Sequence, residues 1–226
     1  MILDPLIALL APHECLSCGS EGRLVCADCR PQLTLPDKRC YKCNKPGSNM
    51  ATCAVCRRDT PLTSVQAATR YTGVSKELVH KLKFGRAGSA ATEIADIIAD
   101  RLGLDRGMAA YGDIVLVHAP TATSRVRQRG YDQSRLVARA LSRRSGIPCY
   151  RLLLREGQRR QIGSDKAARR SQMQNAYHAL LPQRIRGKHV LLVDDVCTTG
   201  STLEAAAAVL KRYGARQVDG IVFAKA

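Results

Sequence analysis

The sequence predicts an α/β domain, a parallel sheet with helices on both faces, preceded by a small cysteine-rich module. Three observations carry this expectation. Eight of the ten cysteines fall between Cys15 and Cys56, most of the long apolar runs come after Val65, and those runs alternate with segments of helical period. A chain of 226 residues accommodates a small module and a domain large enough to bury its own core. The joint is expected between Arg57 and Ser64, where Asp59-Thr60-Pro61 interrupts any regular pattern. That divides the chain into 1–60 and 61–226.

From the N-terminus, the first apolar run is Leu6 to Ala11, far short of the roughly 20 residues that cross a bilayer. It lacks a preceding basic segment and runs into Pro12-His13-Glu14, so neither a membrane span nor a secretory signal is expected. A cytoplasmic location follows, where thiols stay reduced and paired cysteines hold metal more often than they form disulfides. The cysteines fit that setting. Cys15-x2-Cys18-x7-Cys26-x2-Cys29 and Cys40-x2-Cys43-x9-Cys53-x2-Cys56 make four knuckles, enough thiolates for two tetrahedral Zn2+ sites. Consecutive pairing groups the first four and the last four; spacing alone also permits an interleaved arrangement. Four thiolates leave no open coordination position, so both sites are structural, and a segment with so few large apolar residues has little else to fold around. Cys149 and Cys197 stand apart and read as buried, inert thiols.

Beyond the joint, Val65 to Tyr71 has the alternation of a strand, and Ser75 to Phe84 reads as a helix with Ser75 as N-cap. His80 and Lys81-Leu82-Lys83 on that helix read as surface residues, the alternative being that they reach the site from above. Ser89 to Leu102 is a second helix by apolar spacing, stopped by Gly103. Ile114 to Val117 is a short apolar run typical of a buried parallel strand, and Asp132 to Arg144 is a helix ended by Gly146 and Pro148. Tyr150 to Leu154 is expected as a strand, and Arg155 to Arg170 as a loop or weak helix with the composition of a lid. The last unit is the clearest: strand Val190 to Val193, loop Asp194 to Ser201, helix Thr202 to Tyr213 capped by Gly214, and strand Val218 to Phe223.

In parallel sheets, ligands bind beyond the carboxyl ends of the strands, where Asp194 and Asp195 are expected. The small, hydroxyl-rich Cys197-Thr198-Thr199-Gly200-Ser201-Thr202 leads into a helix, whose first backbone N–H groups are unpaired and lie at the positive end of its dipole. Two carboxylates repel phosphate but accept hydrogen bonds from a sugar diol. Acceptors for a diol beside a cradle for a phosphate suit a ribose 5-phosphate. No G-x-x-x-x-G-K-[ST] or G-x-G-x-x-G occurs, which removes the two commonest nucleotide loops.

The formal net charge of +17 is uneven: residues 121–189 hold seventeen Lys/Arg against three Asp/Glu. Such density suits a polyanionic partner, either a phosphate-rich small molecule or nucleic acid. Thr121 and the arginines Arg125, Arg127 and Arg129, just after the strand ending at His118, are placed to receive a pyrophosphate.

The stretch Val190-Leu191-Leu192-Val193-Asp194-Asp195-Val196-Cys197-Thr198-Thr199-Gly200-Ser201-Thr202-Leu203 resembles the phosphoribosyl-pyrophosphate motif of type I phosphoribosyltransferases. That resemblance implies that Asp194 and Asp195 bind the ribose hydroxyls and residues 198–202 wrap the 5-phosphate, with Mg2+ on the diphosphate. Arg129-Gly130-Tyr131-Asp132-Gln133, the group Gln161, Arg169-Arg170 and Asn175-Ala176-Tyr177, and the cysteine-rich N-terminus together resemble the ComF family, with Tyr131-Asp132 where Phe-Asn is more usual. The ComF resemblance implies a double zinc ribbon joined to a type I phosphoribosyltransferase fold and a role in DNA uptake during bacterial competence. It also implies contact with single-stranded DNA, with Tyr131 and Tyr177 available for stacking, and a competence helicase as partner. Two other functions fit the same motifs: a true transferase of nucleotide metabolism, and a ligand-sensing regulator.

Overall fold

The computed structural model describes residues 12–47, 51–85, 87–105, 107, 112–156 and 176–226. Its centre is a five-stranded, wholly parallel sheet of order β1-β7-β6-β2-β3. The strands are β1 (Ser64–Arg70), β2 (Ile114–His118), β3 (Cys149–Tyr150), β6 (His189–Cys197) and β7 (Gln217–Lys225). β4 (Leu153–Arg155) and β5 (Tyr177–Ala179) form a separate antiparallel pair. The helices are α1 (Ala54–Arg57), α2 (Gly73–Phe84), α3 (Ala87–Leu102), α4 (Thr123–Arg129), α5 (Gln133–Ser145) and α6 (Ser201–Arg212).

Side chains alternate along a strand, so a sheet covered on both faces needs two cores. The structure has two. Leu191 and Val193 of β6, Ile114 and Leu116 of β2 and Ile221 and Phe223 of β7 pack with the apolar faces of α2, α3 and α5. Val190 and Leu192, Val115 and Val117, and Val218 and Val222 pack on the other side with Leu203, Ala206 and Leu210 of α6. The cysteine-rich segment divides between these faces. Leu24, Val25 and Leu33 join the α3 side, and Tyr41 joins the α6 side. Ion pairs fix the first contact: the nearly buried Glu93 of α3 meets Arg30 at 2.6 Å and Arg23 at 3.2 Å, and Arg30 also reaches Asp100 at 2.8 Å. Among the described residues, no helix is long and apolar enough to cross a membrane.

Several boundaries differ from expectation, each for a local reason. Ser75 is not the N-cap of α2: Thr72, in extended conformation, takes that place, its carbonyl accepts from the Ser75 N–H at 3.1 Å, and Ser75 is buried in the first turn. Tyr150 to Leu154 is not one strand. β3 stays in the main sheet, and after Arg151 and Leu152 the chain changes partner to pair β4 with β5. β6 runs on to Cys197, so Asp194 and Asp195 are among the strand's last residues and not in a loop. Helix ends at Gly103 and Gly146 agree with expectation, both glycines at positive φ. Most of the basic stretch expected as a lid, with Gln161, Arg169, Arg170 and Asn175, lies outside the described residues.

Candidate functional site

β6 is the middle strand, and its carboxyl end presents Asp194 and Asp195. Strand alternation sends the two in opposite directions, and their surroundings agree. Asp195 Oδ2 pairs at 2.8 Å with Lys83 Nζ of α2, on the face where Leu191 and Val193 pack. Asp194 faces the other side, where burial raises the pKa of the Tyr177 phenol and the Asp194 charge adds to that rise. Each carboxylate also accepts the next residue's N–H: Asp195 N–H to Asp194 Oδ1 at 2.9 Å, and Val196 N–H to Asp195 Oδ1 at 2.8 Å. Burial and the adjacent Asp195 push the Asp194 carboxyl well above its ordinary range. A crowded, half-buried acid pair is a poor arrangement for stability and a suitable one for accepting hydroxyl donors. Lys83, expected on the surface, is in fact part of this site.

The chain then turns through Thr198, Thr199 and Gly200 into α6. Gly200 takes φ +81, the left-handed region where a side chain is strained, and the turn places the helix start directly after the strand. Thr198, Thr199 and Ser201 are exposed, Thr202 is partly exposed, and the Thr199 and Ser201 hydroxyls lie 2.8 Å apart. Lys225 of β7 holds the other flank, its Nζ donating to Thr198 O at 2.5 Å. Cys197 beneath the turn is buried, and burial pushes its thiol up to about 11, as befits a packing residue.

Thr121 follows β2, where its N–H and hydroxyl donate to Asp132 at 3.0 and 3.1 Å. Asp132 also accepts from Ser134 Oγ and caps α5. The arginines expected in a turn lie instead on α4. Residues four apart share a helix face, so Arg125 and Arg129 lie together, and Arg127 is about 200° around from Arg125. Arg129 lies 5.0 Å above the ring of Phe84, which is 62% exposed and also 5.0 Å from His80. Of the two tyrosines expected to stack, Tyr131 is only partly exposed and Tyr177 is buried. Tyr131 donates to Leu82 O at 3.0 Å, and Tyr177 is buried with its hydroxyl on Pro120 O at 3.3 Å and Arg155 over its ring. The exposed ring beside Arg129 is Phe84, which a count of tyrosines overlooks. Among the described residues, Arg129 Nε, Arg155 Nε and Gln133 Nε2 are buried donors without an acceptor, as donors awaiting an anion or water are.

The cysteines fall into two sets, Cys15/Cys18/Cys26/Cys29 and Cys40/Cys43/Cys53/Cys56, with the four sulfurs of each within 4.8 Å of one another. Consecutive pairing is therefore the arrangement adopted. Sulfurs around a tetrahedral zinc at about 2.3 Å stand about 3.8 Å apart. Cys18 and Cys26 are 3.7 Å apart, and Cys43 and Cys53 are 3.6 Å apart, so both sets fit the ion. Burial opposes ionisation of Cys15, yet the N–H groups of Cys26, Cys18 and Ser17 bring its thiol down to about 6. Cys40 also comes down to about 6, through Cys43, Cys53 and Lys42 N–H groups acting against burial. Thiolates are the form that binds metal, and in the absence of the ion one thiol of the second set goes the other way, burial and then the sulfurs of Cys43, Cys53 and Cys40 pushing Cys56 up to about 12.

A family model of the phosphoribosyl transferase domain matches residues 90–226, the span holding the acid pair, the turn and α6. The chain belongs to the phosphoribosyl transferase domain family. DNA utilization protein YhgH of Salmonella typhi is 28% identical over 222 residues, covering 93% of this chain and 96% of the relative. Competence protein ComFC of Bacillus subtilis is 27% identical over 204 residues, 84% of this chain and 79% of the relative. Competence protein F of Haemophilus influenzae is 31% identical over 107 residues, 46% of this chain and 47% of the relative. The resemblance to the ComF family holds across these relatives, and in the first two it reaches into the cysteine module.

Proposed function

We propose that this chain binds phosphoribosyl pyrophosphate together with Mg2+ at the carboxyl edge of β6, and that it handles single-stranded DNA in a cytoplasmic DNA-uptake role. One observation carries the first half: a crowded carboxylate pair and a hydroxyl-rich turn opening a helix meet at the end of the central strand. Asp194 and Asp195 accept from the ribose diol, and Thr198, Thr199, Gly200, Ser201 and Thr202 enclose the 5-phosphate. Mg2+ neutralises diphosphate charge when bound. Thr121 and Arg129 lie on the β2 side for the diphosphate, with Arg127 on the other face of α4, and the acceptor-free Nε atoms of Arg129 and Arg155 support an anion there. The functional unit is residues 61–226, with residues 1–60 as its metal-held cover.

The DNA half draws on the names of the relatives, on the basic span from 121 to 189, and on Phe84 with Arg129 across its face as a stacking surface. Turnover as a transferase is the second reading, favoured by the arginines of α4 just beyond the end of β2. Calorimetry with the zinc-loaded protein tests the first half: Mg2+-dependent binding of phosphoribosyl pyrophosphate is expected, and no heat at millimolar ligand would overturn it. Pyrophosphate release with any nucleobase would turn the conclusion toward the transferase.

A further inference from the structure

We propose that Tyr41, carried between two ligands of the second cysteine set, is a positioning residue for the phosphate turn, so that metal at Cys40/Cys43/Cys53/Cys56 governs how well that turn is formed. The proposal rests on the reading of residues 198–202 as a phosphate cradle. The ring of Tyr41 lies so close over Gly200 that a Cβ there would meet its Cδ2 and Cε2 at 2.8 Å. Tyr41 is 7% exposed although it belongs to a knuckle of an otherwise well-exposed module. Its hydroxyl donates to Glu204 Oε1 at 2.9 Å and meets the Thr60 hydroxyl. Lys42 Nζ stands 3.3 Å from the same Glu204 oxygen and donates to Asp59 O at 2.7 Å.

These contacts grip the first turn of α6 at two points. The ring sets Gly200, whose carbonyl accepts the Glu204 N–H at 2.8 Å, and the hydroxyl sets Glu204 itself. Between them lie the N–H groups at the helix start, donors of the kind a phosphate requires, with the Ser201 N–H donating to Thr199 Oγ1 at 3.4 Å. Glu204 is also the acid of that first turn, and its charge would oppose an incoming anion. Lys42 and the Tyr41 hydroxyl hold it aside and offset it.

What holds Tyr41 is the knuckle, in which Asn44 N–H donates to Cys40 O and Cys40 N–H to Lys45 O, both at 2.9 Å. A four-cysteine knuckle with so little apolar material keeps its shape through its ion. The first cysteine set docks on the opposite face of the sheet, against α3, and so supplies an internal control.

The test is amide hydrogen exchange across Glu204 and the following turn of α6 in the full zinc-loaded chain, for the wild type and for Tyr41→Ala, Cys43→Ser and Cys18→Ser. Tyr41→Ala, with two zinc ions still bound, and Cys43→Ser are expected to speed that exchange about tenfold or more, while Cys18→Ser leaves it within about twofold. Tyr41→Phe, keeping the ring and losing the Glu204 bond, is expected to fall between. In Tyr41→Ala, affinity for Mg2+ and phosphoribosyl pyrophosphate is expected to fall about tenfold or more at unchanged zinc content. Unchanged exchange in Tyr41→Ala, or equal acceleration by Cys18→Ser and Cys43→Ser, overturns the proposal. If the wild type binds no sugar phosphate but exchange follows the expected pattern, the functional reading fails and the coupling stands.

Discussion

Replacing Gly200 by alanine separates a backbone effect from a contact effect. At φ +81 a side chain costs about 1–2 kcal/mol in the left-handed region. The added Cβ must then displace the Tyr41 ring from 2.8 Å, and overpacking of that kind costs typically 1–3 kcal/mol. The total is about 2–5 kcal/mol. Gly103, at φ +66 with nothing within 4 Å of its Cβ, supplies the backbone term alone, so Gly103→Ala is expected to cost about 1–2 kcal/mol. In a Tyr41→Ala background, Gly200→Ala should shrink to that same value, leaving a coupling of about 1–3 kcal/mol between positions 41 and 200. Urea unfolding at fixed free zinc measures all four variants, since metal bound to the folded state otherwise shifts the midpoint. Equal costs at Gly200 and Gly103, or no coupling to Tyr41, would refute the packing of the cysteine module on the turn.

Asp194→Asn is expected to raise the thermal midpoint at neutral pH, because a carboxyl whose pKa is raised on folding is a liability once ionised, growing as pH rises above the ordinary value of 3.8. Differential scanning calorimetry checks it, each 1 kcal/mol corresponding to about 2–4 °C for a chain of this size. Asp219 runs the other way: burial works to raise it, but hydrogen bonds from His189, Ser64 and Gln217 prevail and hold it below its ordinary value. Its stabilising share is therefore full above pH 3.8 and is lost as pH falls through the lowered pKa, so Asp219→Asn should flatten the acid limb of a stability-versus-pH curve. Glu93→Gln should destabilise by about 2–4 kcal/mol in urea, since it leaves Arg30 short of its nearly buried partner. Metal analysis should return two zinc ions per chain, and one for Cys43→Ser.

Much of this was legible from residue types because local chemistry and tertiary position coincide. The apolar run before Asp194 has to be a buried strand, and Thr198 to Thr202 has to be a turn into a helix, whatever surrounds them. The cysteine spacing likewise announces its ligand sets, though proximity was needed to choose the pairing. What escaped were long-range facts. Nothing in Lys81-Leu82-Lys83 marks Lys83 as the partner of Asp195, a contact across 112 positions that depends on where α2 ends above the sheet. Tyr131 and Tyr177 look available in sequence, yet each spends its hydroxyl on a backbone carbonyl of a neighbouring element. Phe84 became visible as an exposed ring only once α4 brought Arg129 over it. The strand-like stretch Tyr150 to Leu154 hid a change of strand partner, because pairing in either sheet asks for the same residue types.

The most direct trial of the central claim is calorimetric titration of phosphoribosyl pyrophosphate, with and without Mg2+, into the zinc-loaded wild type and the Asp194→Asn/Asp195→Asn double variant. Mg2+-dependent binding by the wild type and none by the variant is expected, with fold and zinc content preserved in both. Equal binding by the two proteins would contradict it, because the carboxylate pair would then have no part in holding the sugar.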